Sequence, residues 1–219
     1  MKVSIEFTYK APKGPKALFK SDEMPAAQAI MIAEDLEASG RGKEIIFYDR
    51  HEQSFRLKDL KKYLKGIETE PHNVTLYFDG GYDKATQKAG LGCAIYYDQN
   101  GKSYRLRRNT AVDELKSNNE AEYAALHLAV QELDLLGVHH LPVKIIGDSN
   151  VVINQLKDEW PVMKEELSDW ADRIEAKLQE LGLEPEFVLV SRKHNQETDR
   201  LATQALNGVD ITSTIELNA

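Results

Sequence analysis

The first part of the chain has the apolar pattern of a small domain that mixes strands and helices. Three short apolar segments predict strands, and the Pro/Gly-rich KAPKGPK between the first two predicts a hairpin turn. The three segments are VSIEFTY, ALFKSD and KEIIFYD. PAAQAIMIAEDLEASGRG begins with Pro and ends with Gly, as helices do, and FRLKDLKKYLKG is a Lys-rich amphipathic helix. We therefore predict a small α+β accessory domain over residues 1–70.

The second part has a longer and more regular succession of elements. The segment VTLYFD predicts a strand, and the next two predicted strands flank Asn100-Gly101, a dipeptide typical of hairpin turns. Four helical segments and two further strands follow. This order predicts an α/β domain over residues 72–219, with a mixed five-stranded sheet flanked by helices. Between the two parts GIETEPHN, residues 66–73, lacks apolar periodicity and contains Pro71, so we predict a linker there.

Composition places the protein among soluble globular proteins. No apolar run in the 219 residues approaches the roughly 20 residues that span a bilayer, so we expect no membrane partner. The start, MKVSIEFTYK, lacks the apolar stretch of a signal peptide. The single cysteine, Cys93, excludes an intramolecular disulfide and suits a reducing compartment. We therefore expect a cytoplasmic protein.

The charge is distributed unevenly along the chain. Residues 1–70 carry 13 Lys and Arg against 12 Asp and Glu, whereas the remainder carries 15 against 24. An acidic domain binds nucleic acid only if local basic groups or bound cations offset its charge. The lysines of the first predicted hairpin allow two interpretations, a solvated face or a phosphate-contacting module. These lysines are Lys10, Lys13, Lys16 and Lys20.

Four acidic residues stand at the ends of predicted elements. Asp79 and Asp148 each end an apolar strand, and Asp199 falls in the first turn of the last helix. Taken alone, the first two fit turn positions, and Asp199 fits a carboxylate that complements the helix dipole. Together they place three carboxylates where sheet-based folds assemble their sites.

Glu122 is the fourth and most informative acid. The residues 4, 7, 11 and 14 positions after it form one apolar helical stripe, which points Glu122 inward. They are Leu126, Ala129, Leu133 and Leu136. Glu120 leads instead to polar positions, and we expect it on the solvated face. An inward carboxylate is costly unless it pairs with a cation, so Glu122 predicts either a salt bridge or a metal ligand.

The combination of the four acids favours a metal site. Four converging carboxylates repel one another unless divalent cations neutralise them, and Mg²⁺ or Mn²⁺ prefers such oxygen ligands. Two ions about 4 Å apart can activate a water and stabilise the leaving oxygen of a phosphodiester. That chemistry needs no nucleophilic side chain. The bound cations would also reverse the unfavourable local charge.

Five motifs resemble type 1 ribonuclease H in order, spacing and context, over roughly residues 73–208. They are YFDGG, GLGCAIYY, SNNEAEYAAL, IIGDSNVVINQL and VSRKHNQETDRLA. The resemblance implies a ribonuclease H-like fold and cleavage of the RNA strand of RNA/DNA hybrids with two divalent ions, Mg²⁺ or Mn²⁺. It also implies that four carboxylates are the catalytic metal ligands. These are Asp79, Glu122, Asp148 and Asp199.

The same resemblance suggests which residues bind the substrate. Asn118 and Asn119 match positions near the cut, where an amide can reach a ribose 2′-hydroxyl; helix capping is their other possible role. Gly80 and Gly81 would let the backbone approach another backbone or the substrate closely. His194 and Asn195 lie in the loop before the last acid, where many members of the family carry a mobile His.

Two departures from the family leave alternatives open. The loop before Asp199 is short, and the segment KDEWPVMKEELSDWADR is acidic where some members carry a basic protrusion. One alternative is a nuclease of the same fold that acts on another nucleic acid, such as double-stranded RNA or DNA. The other is a catalytically inactive nucleic-acid-binding protein.

Overall fold

The computed structural model describes residues 1–218, apart from the side chain of Ile67. The chain divides into two compact units, Met1–Ile67 and Glu68–Ala219. Each unit is built around its own cluster of buried apolar side chains.

The first unit is a small antiparallel sheet with two helices. Its elements are β1 (Lys2–Lys10), β2 (Lys16–Lys20), β3 (Met24–Pro25), α1 (Ala26–Ala38), β4 (Gly42–Asp49), β5 (Ser54–Phe55) and α2 (Leu57–Thr69). The strands are ordered β2-β1-β4-β5, with β3 paired to β1. Side chains of β1, β4 and β5 meet those of α1 and α2 in the core. The largest are Val3, Ile5, Phe47, Phe55 and Leu60.

The predicted linker over residues 66–73 is wrong in extent. Helix α2 continues to Thr69, and the next strand begins at His72. Gly66 lies inside the helix, which tolerates it because one glycine costs a helix only about 1 kcal/mol. Pro71 disfavours helix at the residue before it, which explains why α2 ends where it does.

The second unit contains the larger sheet. Its elements are β6 (His72–Asp83), β7 (Lys88–Gln99), β8 (Lys102–Val112), α3 (Asn118–Leu135), β9 (Pro142–Gly147), α4 (Asn150–Leu156), α5 (Glu165–Glu180), β10 (Glu184–Leu189), a 3-10 turn (Arg192–His194), α6 (Gln196–Leu206) and β11 (Thr212–Leu217). The strand order is β10-β9-β6-β7-β8-β11. Strands β6, β9 and β10 are parallel, and the other pairs are antiparallel.

This mixed sheet flanked by helices confirms the ribonuclease H-like α/β fold. Asn100 and Gly101 both have positive φ, 54° and 72°, as expected for the predicted hairpin turn between β7 and β8. The described sheet has six strands rather than five, because Thr212–Leu217 pairs with the edge strand β8. This last strand is mostly exposed, so it lacks the apolar run that would have revealed it. None of the described helices is long and apolar enough to span a membrane.

Candidate metal centre

Asp79 and Asp148 lie side by side because both follow the parallel pairing of β6 with β9; β6 itself continues to Asp83, so Asp79 does not end its strand as predicted. Strands β6 and β9 are neighbours, with Tyr77 opposite Ile146, so two residues further along Asp79 comes beside Asp148. The carboxyl ends of parallel strands are where open α/β sheets assemble their sites. The strand pairing alone therefore places two of the four predicted acids together.

Helix α3 brings a third carboxylate to this point. Ser117 is the N-cap residue, and Glu122 lies in the first turns of the helix. Three of the four predicted stripe residues, Leu126, Ala129 and Leu133, are buried below it, and Leu136 is half-buried. Oxygen atoms of Asp79, Glu122 and Asp148 lie within 4.8 Å of one another. Asp199 lines the same pocket. The structure thus gathers all four predicted acids in one place, three of them closely.

Glycines allow the helices to approach the sheet closely enough to form the pocket. A Cβ atom at Gly80 would collide with the carbonyl of Ala121, one residue before Glu122. A Cβ atom at Gly90 would collide in the same way with the carbonyl of Ala202 in α6. Gly80 therefore packs backbone against backbone, one of the two roles predicted for it, and it also lines the pocket. Gly81 has no backbone atom so near and lines the pocket.

The electrostatics of the pocket disfavour three ionised carboxylates without a cation. Burial, together with the charges of Asp148 and Asp199, raises the pKa of Asp79 to about 7. Burial and the charge of Asp79 raise the pKa of Glu122 to about 8. Within the described part of the chain, Glu122 Oε2 is buried and has no hydrogen-bond partner. A buried carboxylate oxygen without a hydrogen-bond donor is costly unless a cation neutralises it, so Glu122 fits the role of a cation ligand.

The donor set fits a hard divalent cation. All the candidate ligand atoms are carboxylate oxygens, which Mg²⁺ and Mn²⁺ prefer over softer donors. Asp79, Glu122 and Asp148 would hold the ion, and Asp199 stands at the edge of the same pocket. The lining residues that the structure describes include no His, Cys or Lys.

Arg192 lines the acidic pocket and was not predicted from the sequence. Its Nη2 donates to Asp199 Oδ1 at 2.6 Å, and its guanidinium lines the acidic pocket. Its positive charge also partly offsets the rise in the pKa of Asp79. The Arg192 side chain is 79% exposed, so it can leave Asp199 without losing a buried contact. The short loop before Asp199 was the signal that could have pointed to it.

We expect Arg192→Gln to strengthen cation binding several-fold. The substitution releases Asp199 and removes a positive charge that repels a divalent ion. Titration of Mn²⁺ followed by isothermal calorimetry would measure the change. Lys193→Gln, which removes the same charge one residue away, is the control and should bind Mn²⁺ like the wild type. Equal behaviour of the two variants would contradict a role for Arg192 in the pocket.

Asn195 occupies a different position from the one predicted. It is only 2% exposed, and its amide nitrogen donates to the Phe78 carbonyl at 2.8 Å and to Asp148 Oδ1 at 2.9 Å. Its side-chain oxygen accepts a hydrogen bond from the Thr198 hydroxyl at 2.6 Å. Both amide hydrogens are thus used inside the protein. Asn195 orients Asp148 instead of contacting a substrate.

The start of helix α3 also corrects two expectations. Ser117, and neither asparagine, caps the helix by accepting from the N–H of Glu120. Glu120 is only 8% exposed, because its carboxylate accepts from the N–H of Lys116 in a variant of the capping box. The prediction that Glu120 lies on the solvated face is therefore wrong. Asn118 lines the acidic pocket and donates to Glu122 Oε1 at 3.1 Å.

The remaining two predicted residues lie outside the described lining of the acidic pocket. Asn119, next to Asn118, is half-buried. His194 is exposed, and its Nδ1 lies 2.9 Å from Ser191 Oγ. His194 lines a neighbouring pocket with Tyr77, Tyr96 and Glu197. The structure does not bring these two residues together with the four acids.

The raised pKa values predict how the metal-free protein responds to pH. Asp79 and Glu122 bind protons more tightly in the folded state than unfolded carboxylates, whose pKa values lie near 4. Their contribution to stability is therefore fully present below about pH 4 and is lost as pH rises through about 7 to 8. We expect the Tm of the wild type in chelator to fall more between pH 5 and 8.5 than that of Asp79→Asn. Mg²⁺ should raise the Tm more at pH 8.5 than at pH 5, because protons compete with the ion. Identical pH profiles for both proteins would contradict this account.

The fold and the acidic pocket together define a protein of the ribonuclease H-like class. Residues 77–205 match the family described as reverse transcriptase-like, and the chain belongs to this family. It is also 42% identical over 194 residues to uncharacterized protein YpeP of Bacillus subtilis (strain 168). That alignment covers 89% of this chain and 85% of YpeP.

Solved structures share the fold. RNase H1 from the halophilic archaeon Halobacterium salinarum NRC-1 superimposes with a TM-score of 0.53 at 24% identity, covering 62% of this chain and 98% of that one. LC11-RNase H1, solved in complex with an RNA/DNA hybrid, has a TM-score of 0.55 at 25% identity and the same two coverages. These similarities support a nuclease of this fold.

Proposed function

We propose that this protein is a divalent-metal-dependent endonuclease that hydrolyses the RNA strand of RNA/DNA hybrids. The observation that carries the proposal is the convergence of Asp79, Glu122 and Asp148 within 4.8 Å on a ribonuclease H-like sheet. The hybrid bound to LC11-RNase H1, a protein of the same fold, supports the choice of substrate.

The residues of the pocket would have different roles in hydrolysis. Bound divalent ions would lower the pKa of a water molecule and stabilise the oxygen that leaves phosphorus. Asp79, Glu122 and Asp148 would supply the oxygen ligands for the ions, and Asn195 donates a hydrogen bond that orients Asp148. Because bound ions would supply this chemistry, the hydrolysis needs no nucleophilic side chain.

Asn118 is the residue best placed to recognise RNA. It is exposed at the edge of the pocket, and one of its amide hydrogens goes to Glu122 Oε1. An amide nitrogen has two hydrogens, so the second can donate to a ribose 2′-hydroxyl. That hydroxyl is the group by which a protein distinguishes RNA from DNA at a given site.

A panel of end-labelled substrates tests this proposal. The protein would be incubated in Mg²⁺ or Mn²⁺ with an RNA/DNA hybrid, double-stranded RNA, single-stranded RNA and double-stranded DNA of one sequence. We expect the hybrid to be cut fastest. Faster cleavage of double-stranded RNA or DNA would assign the site to another substrate. Binding without cleavage in either metal would make this an inactive nucleic-acid-binding protein.

A further inference from the structure

The first unit carries a concentrated basic surface on the β1–β2 hairpin. The segment from Phe7 to Ser21 contains four lysines and no acid. Residues 12–20 are all exposed, and so is Lys10. Within the described residues, no ion pair is formed by any of the four. We call this surface the lysine hairpin; it consists of Lys10, Lys13, Lys16 and Lys20.

The strand register brings like charges together. Lys10 is the direct cross-strand partner of Lys16, with only the turn residues beyond them, and Lys13 lies in that turn. Like charges directly opposite on a sheet are destabilising. Two further basic residues, Arg41 and Lys43, lie at the start of the adjacent strand β4. The N–H of Lys10 donates to the Arg41 carbonyl, and Lys43 lies opposite Thr8. The repulsion among these basic side chains destabilises the free protein, and a bound anion would relieve it.

The lysines and the core lie on opposite faces of the sheet. Cross-strand pairs place Phe7 with Phe19 on one face and Lys10 with Lys16 on the other. On the aromatic face the Phe7 and Phe19 rings stack at 5.7 Å, and Tyr9 packs edge-on against Phe19 at 6.0 Å. The helices also pack on that side, through the buried Val3 and Ile5 of β1. The aromatic contacts hold the hairpin in shape, and the lysines are left to solvent.

The acids on the lysine face lie away from its tip. Glu6 is the cross-strand partner of Lys20, and Glu44 accepts a hydrogen bond from Thr8. Lys20 in addition lies 5.5 Å from the ring of Tyr48. From Lys10 to Lys16 no acid intervenes. Strands rise about 3.4 Å per residue, so Lys16 and Lys20 are about 14 Å apart, a length along which a duplex carries about eight phosphate charges.

We propose that the lysine hairpin binds the phosphate backbone of a nucleic acid. That the nucleic acid is the hybrid substrate rests on the function proposed above. A polyanion complements the charge of the lysine hairpin. Glu68–Ala219 carries 26 acidic against 15 basic residues and therefore repels a polyanion, whereas Met1–Ile67 carries 10 acidic against 13 basic residues. Divalent ions offset the charge at one phosphate, whereas affinity along a polyanion comes from Lys and Arg. The hairpin supplies that second contribution.

The lysines of helix α2 provide a matched control. This helix carries four lysines as well, but Lys61 forms an ion pair with Glu34 and Asp59 lies in the first turn. Lys58→Gln, Lys62→Gln and Lys65→Gln together remove three positive charges from the same unit. Lys10→Gln, Lys13→Gln and Lys16→Gln together remove three from the hairpin. The two triple variants differ in location and share their net charge.

The test is a binding titration on the full chain. Each triple variant and the parent carry Asp79→Asn so that the hybrid stays intact, and fluorescence anisotropy gives Kd for a labelled hybrid at 50, 100 and 200 mM salt. We expect the hairpin variant to bind at least about tenfold more weakly at 100 mM salt. Its log Kd should depend less steeply on log salt, by about 2 to 3, since each lost duplex phosphate contact removes about 0.9. The α2 variant should stay close to the parent in both respects.

Equal effects of the two triple variants, or no effect of either, would overturn the proposal. Thermal melting separates binding from folding, because removing the Lys10–Lys16 repulsion should leave the Tm of the hairpin variant unchanged or higher. A lower Tm would assign the lysines a structural role instead. Failure of the proposed catalytic function would show separately, as absence of cleavage by the chain with Asp79 intact.

Discussion

Replacing Asp79 by Asn is expected to reduce cleavage of an RNA/DNA hybrid at least about a thousandfold, or about 4 kcal/mol of transition-state stabilisation. Asp79 lies in the central strand β6, just beyond its pairing with β9, and is close to both Asp148 and Glu122. The amide keeps the volume of the side chain and loses the negative charge that a divalent ion requires. Rates at saturating Mg²⁺ and at saturating Mn²⁺ would measure the loss. Activity within tenfold of wild type would contradict the assignment of Asp79 as a ligand.

The same variant separates loss of function from loss of fold. Asp79 is almost buried among like charges, so its removal should relieve repulsion when no metal is present. In chelator at pH 8.5 the variant should therefore melt no lower than the wild type. A clear decrease in Tm would assign Asp79 a structural role, and the loss of cleavage would then have another explanation.

Glu122→Gln is expected to inactivate the protein to a similar degree, whereas Glu120→Gln should change the rate less than about threefold. Glu122 lines the acidic pocket, and its Oε2 is buried without a hydrogen-bond partner among the described residues. Glu120 lies two residues earlier and accepts from the Lys116 N–H, a contact that the oxygen of Gln can keep. The two variants make the same chemical change within one helix.

Rates at several Mg²⁺ concentrations and melting curves for both variants would test this contrast. Glu120→Gln should lower the free energy of unfolding by no more than about 1 kcal/mol, the usual contribution of a helix cap. If both variants lose activity equally while remaining folded, Glu122 has no special place in the pocket.

The position of the acids was predictable because it depends on local pattern. Asp79 and Asp148 follow apolar strands, and the stripe through Leu126, Ala129 and Leu133 sets the direction of Glu122. Those three stripe residues are fully buried in the structure. A local pattern of this kind is fixed by the periods of strand and helix, so the sequence is enough to find it.

The supporting contacts could not be predicted in this way. Asn195 reaches the Phe78 carbonyl across 117 residues of sequence and Asp148 across 47. Arg192 meets Asp199 because a 3-10 turn bends the loop back towards helix α6. Glu120 is buried because its carboxylate accepts a hydrogen bond from the Lys116 N–H, although helical periodicity places it on the polar face. Such contacts depend on tertiary geometry, which the periodicity of apolar residues in the sequence does not specify.

The fold of the first unit was likewise predictable only in part. The hairpin and both helices follow from turn residues and amphipathic spacing, and the structure contains all three, although α2 extends three residues beyond its predicted end. The short strands Met24–Pro25 and Ser54–Phe55 have two residues each, too few to show a period. Which face of the hairpin carries the lysines became clear only from the strand register.

The proposed function requires the acidic pocket to hydrolyse RNA paired with DNA and to depend on a divalent ion. A hybrid labelled with one dye on the RNA strand and another on the DNA strand tests it most directly. The wild-type protein would be incubated with it in Mg²⁺, in Mn²⁺ and in excess chelator. We expect shortening of the RNA strand alone, with at least one of the two ions and never in chelator. Equal cutting of both strands, cutting in chelator, or an intact RNA strand with both ions would contradict it.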